Sequence, residues 1–112
     1  MDFPDDQIAE LKALFPGVAR DDEGEQAFFL IPQLVLPDGC NPQQVDALLC
    51  PSARDGYPSR LFFAAQVASK RSRNWGKNEV RILERNWFAY SWKVKETLRL
   101  AQMVAAHLEA LR

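Results

Sequence analysis

Residues 56–66 read GYPSRLFFAAQ, a turn signal that runs directly into an apolar segment rich in strand-forming residues. All seven prolines lie at or before Pro58, and all three tryptophans lie after it. Glycine tolerates positive φ and proline fixes φ, so together they mark turns. This step predicts a turn followed by a strand. It divides one small fold into a turn-rich first half and a basic, aromatic second half.

The residues before this step predict a short helix and then an antiparallel meander. Ile8, Leu11 and Leu14 follow two acidic residues at helical spacing, and residues 16–17 (Pro-Gly) end the helix. Strands are predicted over 18–20 and 27–36, with a bulge or an edge at Pro32 because proline has no N–H to donate. Residues 41–50 fit either one helical turn with proline at its first position or a strand over 45–50.

The residues after this step predict a strand over 60–67, a long flap over 69–78 and a final helix over 94–111. The flap is polar and basic without periodicity, and residues 79–92 are expected to be extended or irregular but packed. Apolar residues recur at 3-and-4 spacing through the final helix. The prediction is a single α+β domain over 1–112: N-terminal helix, antiparallel β-meander of about four strands, long flap and C-terminal helix.

The composition favours a globular domain that needs neither disulfides nor bound metals to fold. The chain has 112 residues, of which 47% are hydrophobic and 26% charged, enough for a modest core without disulfides or metals. Two cysteines and the absence of a long apolar run or a basic leader lead us to expect a cytoplasmic protein with no cofactor or metal. The net charge is −1, but acids dominate before residue 27 and bases dominate over 70–99, a polarity that can steer an acidic partner.

Two motifs carry a resemblance to a known family. They are residues 56–59 (Gly-Tyr-Pro-Ser) and residues 87–92 (Trp-Phe-Ala-Tyr-Ser-Trp), in the element order given above. The chain resembles the ubiquitin-conjugating-enzyme (UBC) superfamily, in particular the short bacterial members that occur beside an activating-enzyme-like protein, a ubiquitin-like protein and a deubiquitinase-like protease. The resemblance implies a UBC fold, a role in ubiquitin-like conjugation, those partners, and a place in antiphage defence.

The resemblance also implies where partners and chemistry would lie. An activating enzyme would contact the first helix, and the corresponding residues here are Asp5, Asp6, Glu10 and Lys12. The family's nucleophilic cysteine follows the Tyr-Pro strand, yet residues 68–92 contain no cysteine and no His-Pro-Asn tripeptide. Two mechanisms stay open: an acyl carrier that does not use a thioester, or a catalytically silent adaptor.

Ser91 is the leading nucleophile candidate. It lies in the region where the family does its chemistry, and Arg85 and Lys93, which are close in sequence, would stabilise an oxyanion. A serine needs an adjacent base, for which Glu84 and Glu96 are the candidates. The alternative is that Ser91 caps the following helix or lies in a turn.

The two cysteines are the weaker candidates. Cys40 follows a tight turn, where it can be exposed, and is a second catalytic candidate. Cys50 follows two leucines and is expected to be buried. A buried free cysteine usually behaves as a small hydrophobic residue.

The tryptophans have two interpretations. Trp75, Trp87 and Trp92 can form a recognition surface, since tryptophan is enriched at binding hot spots. Alternatively, Trp87 and Trp92 pack beneath the last helix and Trp75 is exposed. His107, the only histidine, lies next to Val104 and Leu108 on that helix and is expected to be a boundary residue between core and solvent.

A nucleic-acid-binding module is the alternative function. Its phosphate contacts would come from the flap, with bases stacked on Trp75 and cations supplied by Lys70, Arg71, Arg73 and Lys77. The chain as a whole is not basic and has no nucleic-acid-binding motif, which counts against this alternative.

Overall fold

The computed structural model describes residues 3–76 and 78–112 and has the predicted α+β architecture. In chain order its elements are α1 (Asp5–Leu14), β1 (Ala19–Glu23), β2 (Gln26–Val35), β3 (Gln44–Cys50), β4 (Arg60–Phe63), β5 (Val80–Ile82), β6 (Arg85–Trp87) and α2 (Leu100–Glu109). The first four strands form one antiparallel sheet in the order β1-β2-β3-β4. The hairpin β5–β6 forms a second sheet, in a region expected only to be extended or irregular.

The meander follows the predicted pattern, including an irregularity next to Pro32. The pairing of β2 with β3 shifts register between Ile31 and Leu34, and Gln33 in this bulge has a φ of 49°. Asp46 on β3 accepts hydrogen bonds from the backbone N–H and the side-chain amide of Gln33, at 2.9 and 3.1 Å. These contacts satisfy the donors that the bulge removes from the ladder.

The ambiguous segment before the Tyr-Pro step is a strand. Residues 44–50 pair with β2 on one side and β4 on the other, so the predicted helical turn at 41–44 does not form. Sheet pairing on both sides outweighs the local helix signal of one proline and two glutamines. The next strand, β4, ends at Phe63 rather than at residue 67.

A core lies on each face of the four-stranded sheet because side chains alternate along the strands. One core holds Phe29, Leu49 and Phe63 and packs against both helices. The other core is smaller and lies under the β5–β6 hairpin; its members are Phe28, Leu48, Cys50, Phe62, Ile82, Trp87 and Ala89. Trp87 is therefore buried on the face opposite the helices, not beneath α2 as predicted.

The final helix begins six residues later than its apolar spacing suggested. The backbone N–H of Arg99 donates to the side-chain oxygen of Gln102 at 2.9 Å, and that of Leu100 donates to Gln7 on α1 at 3.2 Å. These two acceptors satisfy N–H groups that a helix start leaves free. Val94 is buried in the preceding segment, which explains its place in the apolar pattern. Neither helix has the length and apolar character of a membrane span, within the ranges the structure describes.

The turn of the β5–β6 hairpin adopts an unfavourable backbone conformation. Leu83 and Glu84 have φ values of 51° and 64°, where two-residue hairpin turns usually carry asparagine and glycine. The backbone N–H of Leu83 donates to the Glu23 carboxylate at 3.0 Å, so the hairpin tip is tied to the end of β1. This contact offsets part of the cost of the left-handed conformation.

We predict that Glu84→Gly stabilises the protein. Relief of the left-handed backbone strain exceeds the entropy cost of glycine, so the free energy of unfolding should rise by about 0.5 to 1 kcal/mol. Urea unfolding measures the change. The control is Glu79→Gly, an exposed glutamate with ordinary negative φ, which should be neutral or destabilising. Equal destabilisation by both variants would contradict the prediction.

Candidate functional site

The Tyr-Pro turn is joined to the last helix by a buried polar pair. Ser59 and His107 are 1% and 3% exposed, and the Ser59 hydroxyl lies 3.0 Å from Nε2 of His107. Burial, together with the nearby Arg60 guanidinium, lowers the pKa of His107 to about 4. His107 is therefore neutral near pH 7, and it is fully buried, where a residue at the boundary between core and solvent was predicted.

Two side chains of the 87–92 motif bind the end of α2. The Tyr90 hydroxyl donates to the carbonyl oxygen of His107 at 2.6 Å, and Nε1 of Trp92 donates to that of Ala106 at 3.1 Å. The last four carbonyl groups of a helix have no partner within it. The motif thus satisfies two carbonyls of the final turn, and burial raises the pKa of Tyr90 well above its usual range, so the hydroxyl remains protonated.

The flap is held against the same motif. The amide of Gly76 donates to the carbonyl of Ala89 at 3.1 Å, and the amide of Ser91 donates to that of Asn74 at 3.0 Å. Trp75 lies between these bonds with its ring centroid 5.0 Å from Tyr90 and 5.7 Å from Phe63. Trp75 is therefore half-buried against the larger core, where an exposed side chain was expected.

An open groove of about 400 Å³ lies beside the Tyr-Pro turn. Its lining is Ala53, Gly56, Tyr57, Pro58, Lys93 and Glu96. Arg60 stabilises this turn: its guanidinium donates to Asp55 at 3.0 Å and lies 4.5 Å from the centroid of the Tyr57 ring. A second donor of Arg60 reaches the carbonyl of Tyr90 at 3.3 Å, which connects the groove to the 87–92 motif.

Ser91 is exposed but has no catalytic partner among the residues described. Its hydroxyl makes no hydrogen bond there, and neither Glu84 nor Glu96 contacts it. Arg85 is held elsewhere, with its guanidinium 3.2 Å from Asp46 and 4.7 Å from the centroid of the Trp87 ring. The predicted helix-capping role of Ser91 is also absent, because α2 begins nine residues later.

Both cysteines are buried. Cys40, expected to be exposed, is only 6% accessible, and its thiol donates to the carbonyl of Leu111 at 3.7 Å. Cys50 is buried as predicted. Burial raises the pKa of both thiols above the ordinary value, despite the opposing effects of Lys70 on Cys40 and of Ser52 on Cys50. Neither cysteine has the exposed thiolate that nucleophilic chemistry needs.

The sequence alone did not identify Ser59 and His107 as a pair. Serine directly after Tyr-Pro and a lone histidine on an apolar helix face were the available signals, but 48 residues separate them. A serine next to a neutral histidine has the connectivity of a nucleophile and its base. Because both side chains are buried and no carboxylate orients the ring in the described chain, the pair positions α2 rather than a substrate.

The residues proposed for partner contact on α1 fall into two groups. Arg99 binds the Asp6 carboxylate at 2.8 Å and that of Glu10 at 3.2 Å, and the hydrogen bond from Arg99 lowers the pKa of Asp6. Asp5 and Lys12 are exposed and make no ion pair in the described part of the chain.

No metal centre is visible in the described ranges. No group of three or more His, Cys, Asp or Glu side chains there is arranged to hold an ion. Cys40 and His107 both lie near the end of α2, but each is engaged in its own hydrogen bond.

We predict that Tyr90→Phe destabilises the protein by about 1 to 2 kcal/mol. The variant keeps the ring but leaves the buried carbonyl of His107 without its side-chain donor. Tyr57→Phe is the matched control, because the Tyr57 hydroxyl makes no hydrogen bond to a described residue. Chemical denaturation measures both variants, and equal losses would show that the Tyr90 hydroxyl has no special role.

We also predict that His107 makes stability depend on pH. The unfolded chain binds a proton near pH 6.5, whereas the folded protein does not until about pH 4. The contribution of His107 to the free energy of unfolding is therefore fully present above pH 6.5. It falls by about 3 kcal/mol as the pH drops to 4. Asp6 and Asp46 have lowered pKa values, so their contributions are lost only below about pH 5, at the acidic end of this window.

Urea unfolding at several pH values tests this dependence. The variant His107→Gln keeps a hydrogen-bonding side chain but cannot take up a proton, so its stability should change less across the window. An identical pH slope in the variant and the wild type would assign the dependence to other groups.

No family model, no curated protein and no solved structure matches this chain. The site is consequently defined by its own geometry: an aromatic motif and a Ser-His pair that hold α2, a groove beside the Tyr-Pro turn, and two buried thiols.

Proposed function

We propose that this protein is a UBC-like component of a bacterial ubiquitin-like conjugation pathway that binds an activating-enzyme-like protein without carrying a thioester. The order of helix, four-stranded meander, flap and helix is the one that the resemblance implies, and this order supports the proposal. The observation that carries it is the burial of both thiols, whose raised pKa values disfavour the thiolate. Such a chain would act by docking and orienting its partners.

The first helix is the surface proposed for the activating enzyme. Asp5 and Lys12 lie at opposite ends of α1, exposed, while Leu11 between them holds the helix to the core. A groove of about 270 Å³ beside this helix is lined by Ile8, Leu11, Lys12, Val18, Ala19, Arg20 and Phe29. Charge and an apolar groove together suit a protein partner better than a small metabolite.

The nucleic-acid alternative has less support from the same geometry. The Trp75 ring, on which a base would stack, already packs edge-on against two aromatic rings. Lys77, one of the cations named for that alternative, lies outside the described residues.

If genes for an activating-enzyme-like and a ubiquitin-like protein neighbour the gene for this chain, reconstitution with both proteins and ATP tests the proposal. We expect a non-covalent complex and no adduct on denaturing gels. Lys12→Glu should weaken the complex at least severalfold, because the charge lies at the proposed contact. Arg81→Glu on β5 is the control and should leave the complex unchanged.

Two outcomes would overturn the adaptor role. An adduct that resists thiol reductant, is cleaved by hydroxylamine and is lost in Ser91→Ala would identify an oxyester carrier. The absence of any complex, or of neighbouring genes for such partners, would remove the pathway assignment itself.

A further inference from the structure

Arg73 on the flap is an arginine without an acceptor. Its side chain is half-buried, with the guanidinium carbon 5.2 Å from the centroid of the Trp92 ring. None of its N–H donors has a hydrogen-bond partner among the described residues, and its Nε atom is shielded from solvent. A partly desolvated guanidinium with unpaired donors is costly unless an anion binds it.

Most of the other arginines, unlike Arg73, have a carboxylate close to the guanidinium. Most lie within 4.0 Å of a carboxylate; these are Arg20, Arg54, Arg60, Arg85, Arg99 and Arg112. Arg81 donates to the side chain of Asn86 instead. Only the flap pair Arg71 and Arg73 lacks a side-chain acceptor within the described ranges.

Lys70, three residues before Arg73, adds a further exposed positive charge to the flap. Lys70 also has no carboxylate within 4.0 Å in the described chain. Its stem lies across the turn at Gly39, where an added Cβ would meet the Lys70 Cε at 2.7 Å. The glycine, which has a φ of 89°, thus allows the lysine stem to pack closely against the turn.

A small cleft lies beside Arg73. It has a volume of about 210 Å³ and is lined by Val67, Ala68, Ser69, Ser72, Arg73 and Trp75. The Ser69 hydroxyl donates to the carbonyl of Arg71 at 2.6 Å and so closes the loop that carries the cations. The Ser72 hydroxyl has no partner among described residues and remains available as a donor. The cleft is smaller than the sites that bind drug-sized ligands.

We propose that this flap cleft binds a single phosphate group, either free or carried as a monoester by a larger molecule. A phosphate dianion offers three strong acceptor oxygens, which match the donors of Arg73 and the hydroxyl of Ser72. Arg71 and Lys70 do not line the cleft, but as exposed cations adjacent in sequence they raise the local positive potential that attracts a dianion. A nucleic-acid strand would need a free aromatic face for its bases, and Trp75 is packed against Phe63 and Tyr90.

An NMR titration of the ¹⁵N-labelled protein with inorganic phosphate tests the site at constant ionic strength. We expect saturable shifts confined to the amides of the flap, with millimolar affinity. Chloride and acetate at the same ionic strength should give no saturable shifts. Phosphoserine that binds at least as tightly as inorganic phosphate would indicate that the phosphate is carried by a larger molecule, and weaker binding would indicate free phosphate.

Variants then assign the binding to the named residues. Arg73→Gln should weaken phosphate binding about tenfold, the loss expected for one charge-assisted hydrogen bond. Arg71→Gln, at an exposed position that does not pack on Trp92, should weaken it severalfold and guards against a folding defect in the first variant. Arg81→Gln is the control and should bind as the wild type does.

Three results would overturn the proposal. They are the absence of saturable shifts with phosphate, unchanged affinity in both Arg71→Gln and Arg73→Gln, and tighter binding of a single-stranded oligonucleotide than of phosphoserine. The last result would assign the flap to a phosphodiester backbone. None of these results depends on partners of the conjugation pathway, so this site and the proposed docking function fail independently.

Discussion

Carbonyl groups at the C-terminal end of α2 and just beyond it accept hydrogen bonds from side chains of distant segments, and these bonds fix where the helix lies. Tyr90 and Trp92 donate to the carbonyls of residues 107 and 106, and the Cys40 thiol donates to that of Leu111. Ser59 forms a hydrogen bond with the side chain of His107. Three distant segments of the chain therefore meet at the C-terminal end of α2. Because unpaired polar groups in the interior cost free energy, this junction constrains the position of the helix more strongly than apolar contact alone.

The hydrogen bonds at this junction change how the aromatic residues of the 87–92 motif are interpreted. The 87–92 motif looks like a recognition surface in the sequence, yet the polar side-chain atoms of Tyr90 and Trp92 bind the protein's own helix. Trp87 donates its N–H to the carbonyl of Ile82 at 3.1 Å and lies in the core under the β5–β6 hairpin. Among the exposed residues without an ion pair in the described chain are charges at the ends of α1 and on the flap, namely Asp5, Lys12, Lys70 and Arg71. Binding through charged surfaces is consequently better supported than chemistry at a nucleophile.

Local sequence patterns predicted an element correctly where a single local interaction determines its structure. The α1 helix, the bulge at Pro32 and the strand after the Tyr-Pro turn follow from apolar spacing and from the backbone limits of proline. The helical signal at residues 41–44 was overridden because β3 gains ladder bonds on both sides. The start of α2 was misplaced because one of the acceptors that cap it, Gln7, lies on α1, 93 residues away. Cys40 was expected to be exposed because burial of a turn depends on which segment packs over it.

By itself the sequence determined the α+β class, the order of helix, meander and helix, and the concentration of cations on the flap, since these follow from periodicity, turn residues and composition. Only the tertiary structure decided which side chains are available. It buried both thiols, paired Ser59 with His107 across 48 residues, packed Trp75 against the core and left Arg73 without an acceptor. The physical reason is that burial and hydrogen-bond pairing depend on contacts between segments distant in the chain, which no local pattern specifies.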